Sequence, residues 1–411
     1  MIIVPLGVAS ATPTATRHLS SVAVWREGQQ FLFDCGENAQ MRMLQAGMKR
    51  SNVDFVFISH FDIDHFSGLI GLLATFQLQR RNKPVTLVGP EGLEKYVEWN
   101  LDFSDVNIGY EINYVELEEG FDHQVVVDEP EYYVKARPLD HTNFSIGYRL
   151  QEKDKPGKVD AVKAKASGIS EDWHYKELKA GNDVELENGS IVKSDDIVGP
   201  PIKGDSFAYC SDTRYCENAM LLGRKSSVLY HEATFGDSLK DKAKETGHST
   251  AKEAARIARE AETDLLVIAH FSARYTNQFV LLREARDIFK STWVATELRP
   301  IMTDLEHERG IIQKRVELKD LTNKSNKNKS SGRSKKKRKR RKRKRVKHSR
   351  STKKEKSSRK RRPRRSNRSK SADKNDSKSK QRSNKKKDSD NKQRKPKHIT
   401  PRTPFDDFDR F

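Results

Sequence analysis

The stretch that most constrains the fold joins a buried strand to a buried helix through a polar cluster. The apolar run "VDFVFI" at 53–58 predicts a strand buried on both faces, and "SGLIGLLATFQLQ" at 67–79 predicts a buried helix. The six positions between 60 and 65 contain two imidazoles and two carboxylates, at His60, Asp62, Asp64 and His65. Such a density of possible ligands directly after a strand indicates either a metal site or an unusually polar loop.

The alternation of apolar strands and helices continues along the chain. Further strands are predicted at "SSVAVW", "QFLFDCG", "PVTLVGP", "SFAYCSD", "SSVLYHEATF" and "DLLVIAH". Helices are predicted at "NAQMRMLQAGM", "GLEKYVEWN", "STAKEAARIAREAE" and "NQFVLLREARDIF". Thr250 and Glu253 have the spacing of a capping box at the start of one of these helices. This order of elements predicts an α/β fold.

Other possible metal ligands lie at the ends of predicted strands or just beyond them, at His141, Asp212, His231, His248 and His270. Loops at one edge of an open α/β sheet converge in space, and such folds build their sites there. A single His after a strand is usually a structural residue. Several of them, together with the cluster at 60–65, favour a metal site.

Charge divides the chain into an acidic body and a basic tail. The 411 residues have a formal net charge of +22, but residues 321–411 hold 41 Lys and Arg against 8 Asp and Glu, which leaves 39 against 50 for residues 1–320. A body of this length suits one large α/β domain or two modest ones. Residues 321–403 have almost no apolar side chains to bury, so we expect them to be disordered.

The cysteines and the amino terminus are typical of a cytoplasmic protein. Cys35, Cys210 and Cys216 form no CxxC pair, which argues against a zinc knuckle or a disulfide framework. The first residues, "MIIVPLGVASATPT", lack the basic region of a signal peptide and have a short apolar run interrupted by Gly, so we predict a first strand. No segment approaches the roughly 18 apolar residues of a membrane span.

Two segments differ from the rest of the chain. Residues 151–200 are polar, interrupted by Gly and Pro and weakly periodic, and we expect them to project as an arm from a domain that spans 1–320. Residues 404–411, "PFDDFDRF", replace the basic run with acidic and aromatic side chains and form a separate tip.

Taken together, the motifs resemble tRNase Z, the ribonuclease of the metallo-β-lactamase fold that matures tRNA 3′ ends. The resemblance runs from Pro5 to about Thr303 and rests on "FDCGENAQMRMLQAG", "SHFDIDHFSGLIGLL", "LDHTNFSIGYRL", "GPPIKG", "YCSDTR", "HEATF", "GHSTAKEAA" and "IAHFSARY", in family order. It implies an αβ/βα four-layer sandwich. It also implies a homodimeric, metal-dependent endoribonuclease that cuts precursor tRNA on the 3′ side and leaves a 3′-hydroxyl on the tRNA.

The resemblance also implies the site residues. One metal ion, Zn in the family, falls on His60, the position of Asp62, His141 and Asp212. A second ion falls on Asp64, His65, Asp212 and His270, with Asp212 shared between the two. Asp64 matches the proton acceptor of the family, and Glu232 with His248 matches the pair that protonates the leaving ribose oxygen.

The sequence departs from the family pattern at Asp62, where His is usual. A carboxylate can still bind a metal, and an oxygen ligand favours Mn or Fe relative to Zn. The flavodiiron proteins, a related branch of the fold, also have a carboxylate at this position. The alternative is that Asp62 leaves the first site weak and the enzyme slow.

A second departure concerns RNA recognition. The stretch "PTATRH" resembles the family loop P-x-K-x-R-N, which is linked to sensing the CCA end. Pro13 and Arg17 match, and Ala15 and His18 replace Lys and Asn. Arg17 is therefore an expected RNA-binding residue. In the arm, "DKPGKVDAVKAKASGI" and "LKAGNDVELENG" resemble the family exosite, but "GISEDWHYKEL" lacks its Gly-Pro.

The basic tail offers a further RNA contact. Residues 333–397 are expected to bind phosphates without reading sequence. A tail folded back on the acidic body and a localisation signal are the alternatives. The tip at 404–411 loosely resembles the acidic, Phe-ended tip of bacterial single-stranded-DNA-binding proteins, which docks partner proteins.

Two other functions stay open at this point. The same fold can act on another phosphodiester or ester, because a fold alone does not determine the substrate. Alternatively, Asp62 in place of the usual His makes the site catalytically inactive, and the chain is an RNA-binding protein that acts through its tail. The stretches "HEATF" and "GHST" favour the tRNase Z branch.

Overall fold

The computed structural model describes residues 1–49, 52–303 and 312–313, and of the last pair it describes the backbone alone. The tail predicted at 321–403, with its expected RNA contacts at 333–397, and the tip at 404–411 lie outside these residues.

The strands of the described residues are β1 (Ile2–Gly7), β2 (Ser21–Arg26), β3 (Gln29–Phe33), β4 (Val53–Phe57), β5 (Val85–Pro90), β6 (Ile112–Leu117), β7 (Gln124–Asp128), β8 (Tyr132–Leu139), β9 (Ser145–Glu152), β10 (Val184–Glu185), β11 (Ile191–Val192), β12 (Ser206–Cys210), β13 (Val228–Glu232), β14 (Leu265–Ala269), β15 (Thr292–Val294), β16 (Ile301–Met302) and β17 (Ile312–Gln313). The helices are α1 (Ala39–Gln45), α2 (Ile63–Phe66), α3 (Leu69–Leu78), α4 (Leu93–Phe103), α5 (Ala161–Ala166), α6 (Asp172–Lys179), α7 (Ser194–Ile197), α8 (Glu217–Gly223), α9 (Lys240–Glu245), α10 (Ala251–Glu260) and α11 (Phe279–Arg286).

Two mixed sheets form the centre of the fold. The first sheet has the order β17-β16-β1-β2-β3-β4-β5-β6, with parallel pairing from β3 to β6. The second sheet has the order β15-β14-β13-β12-β9-β8-β7, with parallel pairing from β12 to β15. Parallel strands in both sheets explain the long apolar runs in the sequence, because both faces of such strands are covered.

Helices cover the outer face of each sheet. Met43 of α1, Leu72 of α3 and Val97 of α4 are buried in one cluster with the outward side chains of the first sheet. On the other side, α8, α10 and α11 bury Leu222, Ala254 and Leu281 against the second sheet. The layers are therefore helices, sheet, sheet and helices, which confirms the predicted αβ/βα sandwich.

Aromatic side chains fill the space between the two sheets. Phe33 and Phe57 of the first sheet stack with ring centroids 4.8 Å apart. Phe207 and Tyr148 of the second sheet contact them at 5.2 and 5.1 Å. Burial of each such side chain contributes roughly 1.5–3 kcal/mol relative to exposure. This interface holds the sheets together, so the loops of both sheets meet at one edge.

The capping box predicted at Thr250 is present. The Thr250 Oγ1 accepts a hydrogen bond from the backbone N–H of Glu253 at 3.2 Å, and the Thr250 N–H donates to Glu253 Oε2 at 2.9 Å. These two bonds satisfy N–H groups that the first turn of a helix leaves unpaired.

The predicted arm corresponds to an insertion between β9 and β12 with its own hydrophobic cluster, formed by Ala164, Ile169, Leu178, Val184, Val192 and Ile197. Strand β9 extends to Glu152, and the insertion follows it. At its base the chain crosses itself closely, because a Cβ at Gly157 would lie 1.8 Å from the carbonyl oxygen of Gly199. None of the helices in the described part of the chain has the length and apolar character needed to span a bilayer.

Candidate metal centre

The predicted ligands lie after strands of both sheets. The segment at 60–65 follows β4 and includes the short helix α2, which the sequence did not predict. His141 follows β8, Asp212 follows β12 and His270 follows β14. Because the two sheets pack face to face, these strand ends bring the ligands together at one edge of the sandwich.

One cluster consists of His60, Asp62, His141 and Asp212, whose possible ligand atoms all lie within 4.8 Å of one another. The Nε2 atom of His60 lies 3.5 Å from Asp62 Oδ2 and 3.6 Å from Asp212 Oδ2. The Nε2 atom of His141 lies 3.4 Å from the same Asp62 oxygen. The Asp62 carboxylate therefore reaches this cluster despite being shorter than an imidazole.

A second cluster consists of Asp64, His65 and His270. The Nε2 atom of His65 lies 3.2 Å from His270 Nε2 and 3.4 Å from Asp64 Oδ2. It also lies 3.5 Å from Asp212 Oδ2, the oxygen that faces His60 in the first cluster. Asp212 thus stands between the two clusters, at the position expected of a shared ligand.

The residues present fit divalent metal ions. Within residues 1–49 and 52–303, the buried His60 Nε2 and Asp212 Oδ1 have no hydrogen-bond partner. Asp212 Oδ1 lies 3.2 Å from His270 Nδ1, but without hydrogen-bond geometry. A buried polar atom without a partner costs about 1–3 kcal/mol. A cation would satisfy both atoms, and imidazole with carboxylate is a donor set that Zn, Mn and Fe accept.

The carboxylates of the centre are held in their charged form. Burial raises the pKa of Asp212, but His270, His65 and His248 outweigh that effect and hold the pKa well below its usual range. For His65, burial lowers the pKa, but Asp212, Asp64 and Asp34 raise it well above its ordinary value. A proton and a metal ion therefore compete for the same electron pair of His65.

Asp34 is a buried residue of the site that the sequence analysis missed. Its carboxylate accepts hydrogen bonds from Ser59 Oγ at 2.8 Å, from the Tyr209 hydroxyl at 2.7 Å and from His65 Nδ1 at 2.7 Å. The bond between His65 Nδ1 and Asp34 leaves the Nε2 atom of His65 directed toward Asp64 and His270, the other members of the second cluster. The signal was available, because Asp34 follows an apolar strand as the other site residues do.

The other imidazoles are also oriented through Nδ1. His60 Nδ1 lies 2.9 Å from Ser59 Oγ, His270 Nδ1 lies 2.9 Å from Thr234 Oγ1, and His141 Nδ1 lies 2.8 Å from the carbonyl oxygen of Gly247. Such partners set the tautomer of a ligating imidazole and its direction.

Buried Glu232 and half-buried His248 form a pair beside the two clusters. The Nδ1 atom of His248 lies 2.9 Å from Glu232 Oε1 and 3.8 Å from Asp212 Oδ2. The Thr234 Oγ1 and the backbone N–H groups of Thr213 and Ser249 donate to the Glu232 carboxylate. Burial lowers the pKa of His248, but Glu232 and Asp212 outweigh it and raise the pKa to about 9. In the metal-free protein the imidazole of His248 is therefore protonated at neutral pH.

His231 is a candidate ligand that the structure brings into neither cluster, whereas the possible ligand atoms of His248 lie within 4.8 Å of those of Asp212 and His270. It precedes Glu232 in β13, and successive side chains of a strand point to opposite faces. Its Nδ1 lies 2.7 Å from the backbone oxygen of Glu232, and burial lowers the pKa of its imidazole.

Arg17, the residue expected to contact RNA, lies near the centre and is buried. The guanidinium is buried and donates to the carbonyl oxygens of Phe271, Ser272 and Ala273 at 3.3 to 3.4 Å. A buried guanidinium needs hydrogen-bond acceptors, and these three carbonyl oxygens provide them. The three residues directly follow His270 in the chain. Its neighbour His18 is paired with Glu297 at 2.8 Å. The loop is therefore anchored to the body through both residues.

Comparisons with known proteins agree with this geometry. A ribonuclease Z of Salinibacter ruber is 41% identical, over 72% of this chain and 92% of that protein. A ribonuclease Z of Geobacillus kaustophilus is 37% identical, over 71% of this chain and 95% of that protein. The crystal structure of the human tRNase Z short form is similar with a TM-score of 0.55 and 26% identity, over 74% of this chain and 99% of that one.

A family model described as "Anti-Pycsar protein Apyc1" matches residues 1–144, about a third of the chain. The ribonuclease Z relatives, by contrast, are matched over nearly their full length. The chain therefore belongs to the ribonuclease Z family.

Proposed function

We propose that this chain is a metal-dependent endoribonuclease that removes the 3′ trailer of precursor tRNA and leaves a 3′-hydroxyl on the tRNA. The observation that carries the proposal is the joining of two ligand clusters through Asp212, with the pair of Glu232 and His248 beside them. The substrate class is supported by relatives named ribonuclease Z and tRNase Z.

Each cluster is assigned one divalent ion. The first ion would be held by His60, Asp62, His141 and Asp212, and the second by Asp64, His65, Asp212 and His270. Two such ions, when bound, lower the pKa of a water molecule and stabilise the charge on phosphate oxygens. Family resemblance favours Zn, whereas the Asp62 oxygen raises the relative affinity for Mn or Fe.

Asp64 is assigned as the proton acceptor. Its Oδ2 accepts a hydrogen bond from the Ala11 N–H at 2.8 Å, which fixes the carboxylate toward the centre. Burial raises the pKa of Asp64, but His65 and His270 outweigh that effect and keep the pKa below its usual range. An ionised carboxylate in this position can accept the proton of the attacking water.

His248 is assigned as the group that protonates the leaving ribose oxygen. Its raised pKa keeps the imidazole protonated, and the Glu232 carboxylate at 2.9 Å fixes the ring while leaving Nε2 free to donate. A general acid in the correct position contributes about 10²–10⁴-fold to a rate.

The parts of the chain away from the centre are assigned to RNA handling. The enzyme is proposed to act in the cytoplasm as a homodimer, with the arm of one protomer contacting the tRNA held by its partner. Lys163 and Lys165 are exposed on α5 of the arm and support this contact. The basic residues at 333–397 are proposed to tether RNA, and the tip at 404–411 to dock a partner protein.

The test is to incubate the purified full chain with a trailer-bearing precursor tRNA in Zn²⁺, Mn²⁺ or Fe²⁺ and to map the cut. We expect one cut beside the discriminator nucleotide that requires metal and is lost in Asp64→Ala. A cut elsewhere in the RNA would favour another phosphodiester substrate for the same centre. Metal bound without any cut would contradict the proposed activity.

A further inference from the structure

An aromatic pair on α4 has no covering layer in the described part of the chain. Trp99 and Phe103 stand four positions apart with ring centroids 5.1 Å apart, and they are 62% and 77% exposed. Helix α4 buries its other side through Leu93, Val97 and Leu101. Two large aromatic side chains exposed side by side are typical of a surface that binds a ligand or another protein segment.

Acidic side chains run beside this aromatic pair. Glu94, Glu98 and Asp102 follow one another at intervals of four residues on the exposed side of α4. Like charges at this spacing destabilise a helix. The three carboxylates therefore do not contribute to the stability of α4. The α4 face is defined here as these three carboxylates together with Trp99 and Phe103.

The α4 face belongs to the most acidic part of the body. Residues 91–131 hold 13 Asp and Glu against a single Lys, Lys95, which is enough to account for the whole negative charge of residues 1–320. In the described part of the chain, Asp122 and Asp128 are the members of this segment that form ion pairs. The carboxylates of the α4 face are therefore not neutralised by the body.

The chain itself contains a segment with the complementary chemistry. Residues 333–345, "RSKKKRKRRKRKR", hold 12 Lys and Arg in 13 positions. Lys and Arg cations bind the faces of aromatic rings, Trp best, as well as carboxylates. Nucleic acid is excluded as the occupant, because phosphates would meet a surface of their own charge.

The segment is long enough to reach the α4 face. The described strand β17 ends at Gln313, at one edge of the first sheet, and β6, which follows α4, forms the other edge. Seven strand spacings across that sheet amount to about 34 Å. The 20 residue steps from Gln313 to Arg333 span about 65 Å when extended. Distance therefore does not prevent the contact.

We propose that the α4 face binds the basic segment 333–345 of the same protein when no RNA is present. The bound segment has its charge neutralised by Glu94, Glu98 and Asp102 and its cationic groups stacked on Trp99 and Phe103. RNA phosphates and the α4 face compete for the same cations, so RNA displaces the segment from the helix. Helix α4 itself packs near the metal centre, because Tyr96 contacts Phe66, the residue after His65, with ring centroids 4.9 Å apart.

Zero-length carbodiimide cross-linking of the full chain, read out by mass spectrometry, tests this proposal. The reagent joins lysine amines to carboxylates that are in contact. We expect lysines of 333–345 to be joined to Glu94, Glu98 or Asp102. These links should disappear with excess tRNA and at about 1 M salt, where the screening length falls to about 3 Å.

The double variant Trp99→Ala, Phe103→Ala should lower the yield of these links several-fold. Phe279→Ala is the matched control, because Phe279 is 65% exposed on α11 in the other helix layer, and it should leave the yield unchanged. Links spread evenly over acidic residues outside 91–131, no links at all, or a yield unaffected by the double variant would overturn the proposal. The readout needs neither metal nor cleavage, so its failure is separate from failure of the nuclease proposal.

Discussion

Asp34 Oδ2 lies 2.7 Å from Nδ1 of His65, and both side chains are fully buried beneath the metal centre. Burial raises the pKa of Asp34, but the neighbouring His65 outweighs it and keeps the pKa below its usual range. The carboxylate also accepts hydrogen bonds from Ser59, Tyr209 and Ser211. Asp34, which directly follows β3 of the first sheet, therefore connects loops that carry ligands from both sheets.

Asp34→Asn is expected to weaken the second metal site. The amide cannot accept all of these hydrogen bonds, so His65 loses the partner that fixes its tautomer. Loss of such a partner typically lowers metal affinity about 10–100-fold. Chelator competition on the full chain measures the affinity, with Tyr209→Phe as a control that removes one neutral donor and should have a smaller effect. Equal affinity in Asp34→Asn and the parent chain would show that Asp34 does not orient His65.

Gly247→Ala should disturb the first metal site through His141. Gly247 has φ +77°, and a Cβ there would lie 2.6 Å from His141 Nδ1. The imidazole must then move away from its bond to the Gly247 carbonyl. We expect the first metal site to bind its ion more weakly, measured by the same chelator competition. Gly181→Ala in the arm also has positive φ but meets no neighbour within 4 Å, and it should leave metal affinity unchanged.

His248→Gln should slow the chemical step without weakening RNA binding. The glutamine keeps a hydrogen-bonding group but cannot donate a proton as an acid, so the single-turnover rate should fall about 10²–10⁴-fold. Precursor affinity, measured by filter binding, should stay within twofold of the parent, which is about 0.4 kcal/mol by the usual conversion. A variant with the parental single-turnover rate would remove His248 from the mechanism.

Arg17→Ala separates a structural role from an RNA contact. Without the guanidinium, the carbonyls of Phe271, Ser272 and Ala273 lose their donor, at a cost of about 1–3 kcal/mol. We expect a lower melting temperature and weaker metal binding, because these carbonyls follow His270. Arg274→Ala, on the exposed side of the same loop, removes a cation–π contact with Phe235 and should lower the melting temperature less. Lower RNA affinity at unchanged stability would restore Arg17 as an RNA-binding residue.

The sequence predicted the residues that stand at the ends of apolar strands. His60, Asp64, Asp212 and His270 were found because they follow strands with a clear apolar pattern, and strand ends converge in an α/β fold; His141 was assigned as a ligand through the family motif. The structure brings all of them together. The four-layer arrangement itself came from family resemblance, since periodicity along the chain does not show how two sheets pack.

The sequence could not predict what depends on burial. The burial of Arg17 is not visible in the sequence. Asp34 was not recognised, because its partners Tyr209 and Ser211 are distant in the chain, although its position after an apolar strand was a signal. His231 and Glu232 are adjacent, and which of the two faces the centre depends on the register of β13. Burial, distant hydrogen-bond partners and strand register are determined by tertiary packing and not by the local sequence pattern.

Asp62 is proposed to complete the first of the two metal sites. Metal analysis of the intact chain and of two variants, by inductively coupled plasma mass spectrometry, tests this role directly. We predict two ions per parent chain and one in Asp62→Ala. Asp62→His should bind two ions and shift the preference from Mn or Fe toward Zn. One ion in the parent chain, or two in Asp62→Ala with unchanged affinity, would show that Asp62 does not complete a metal site.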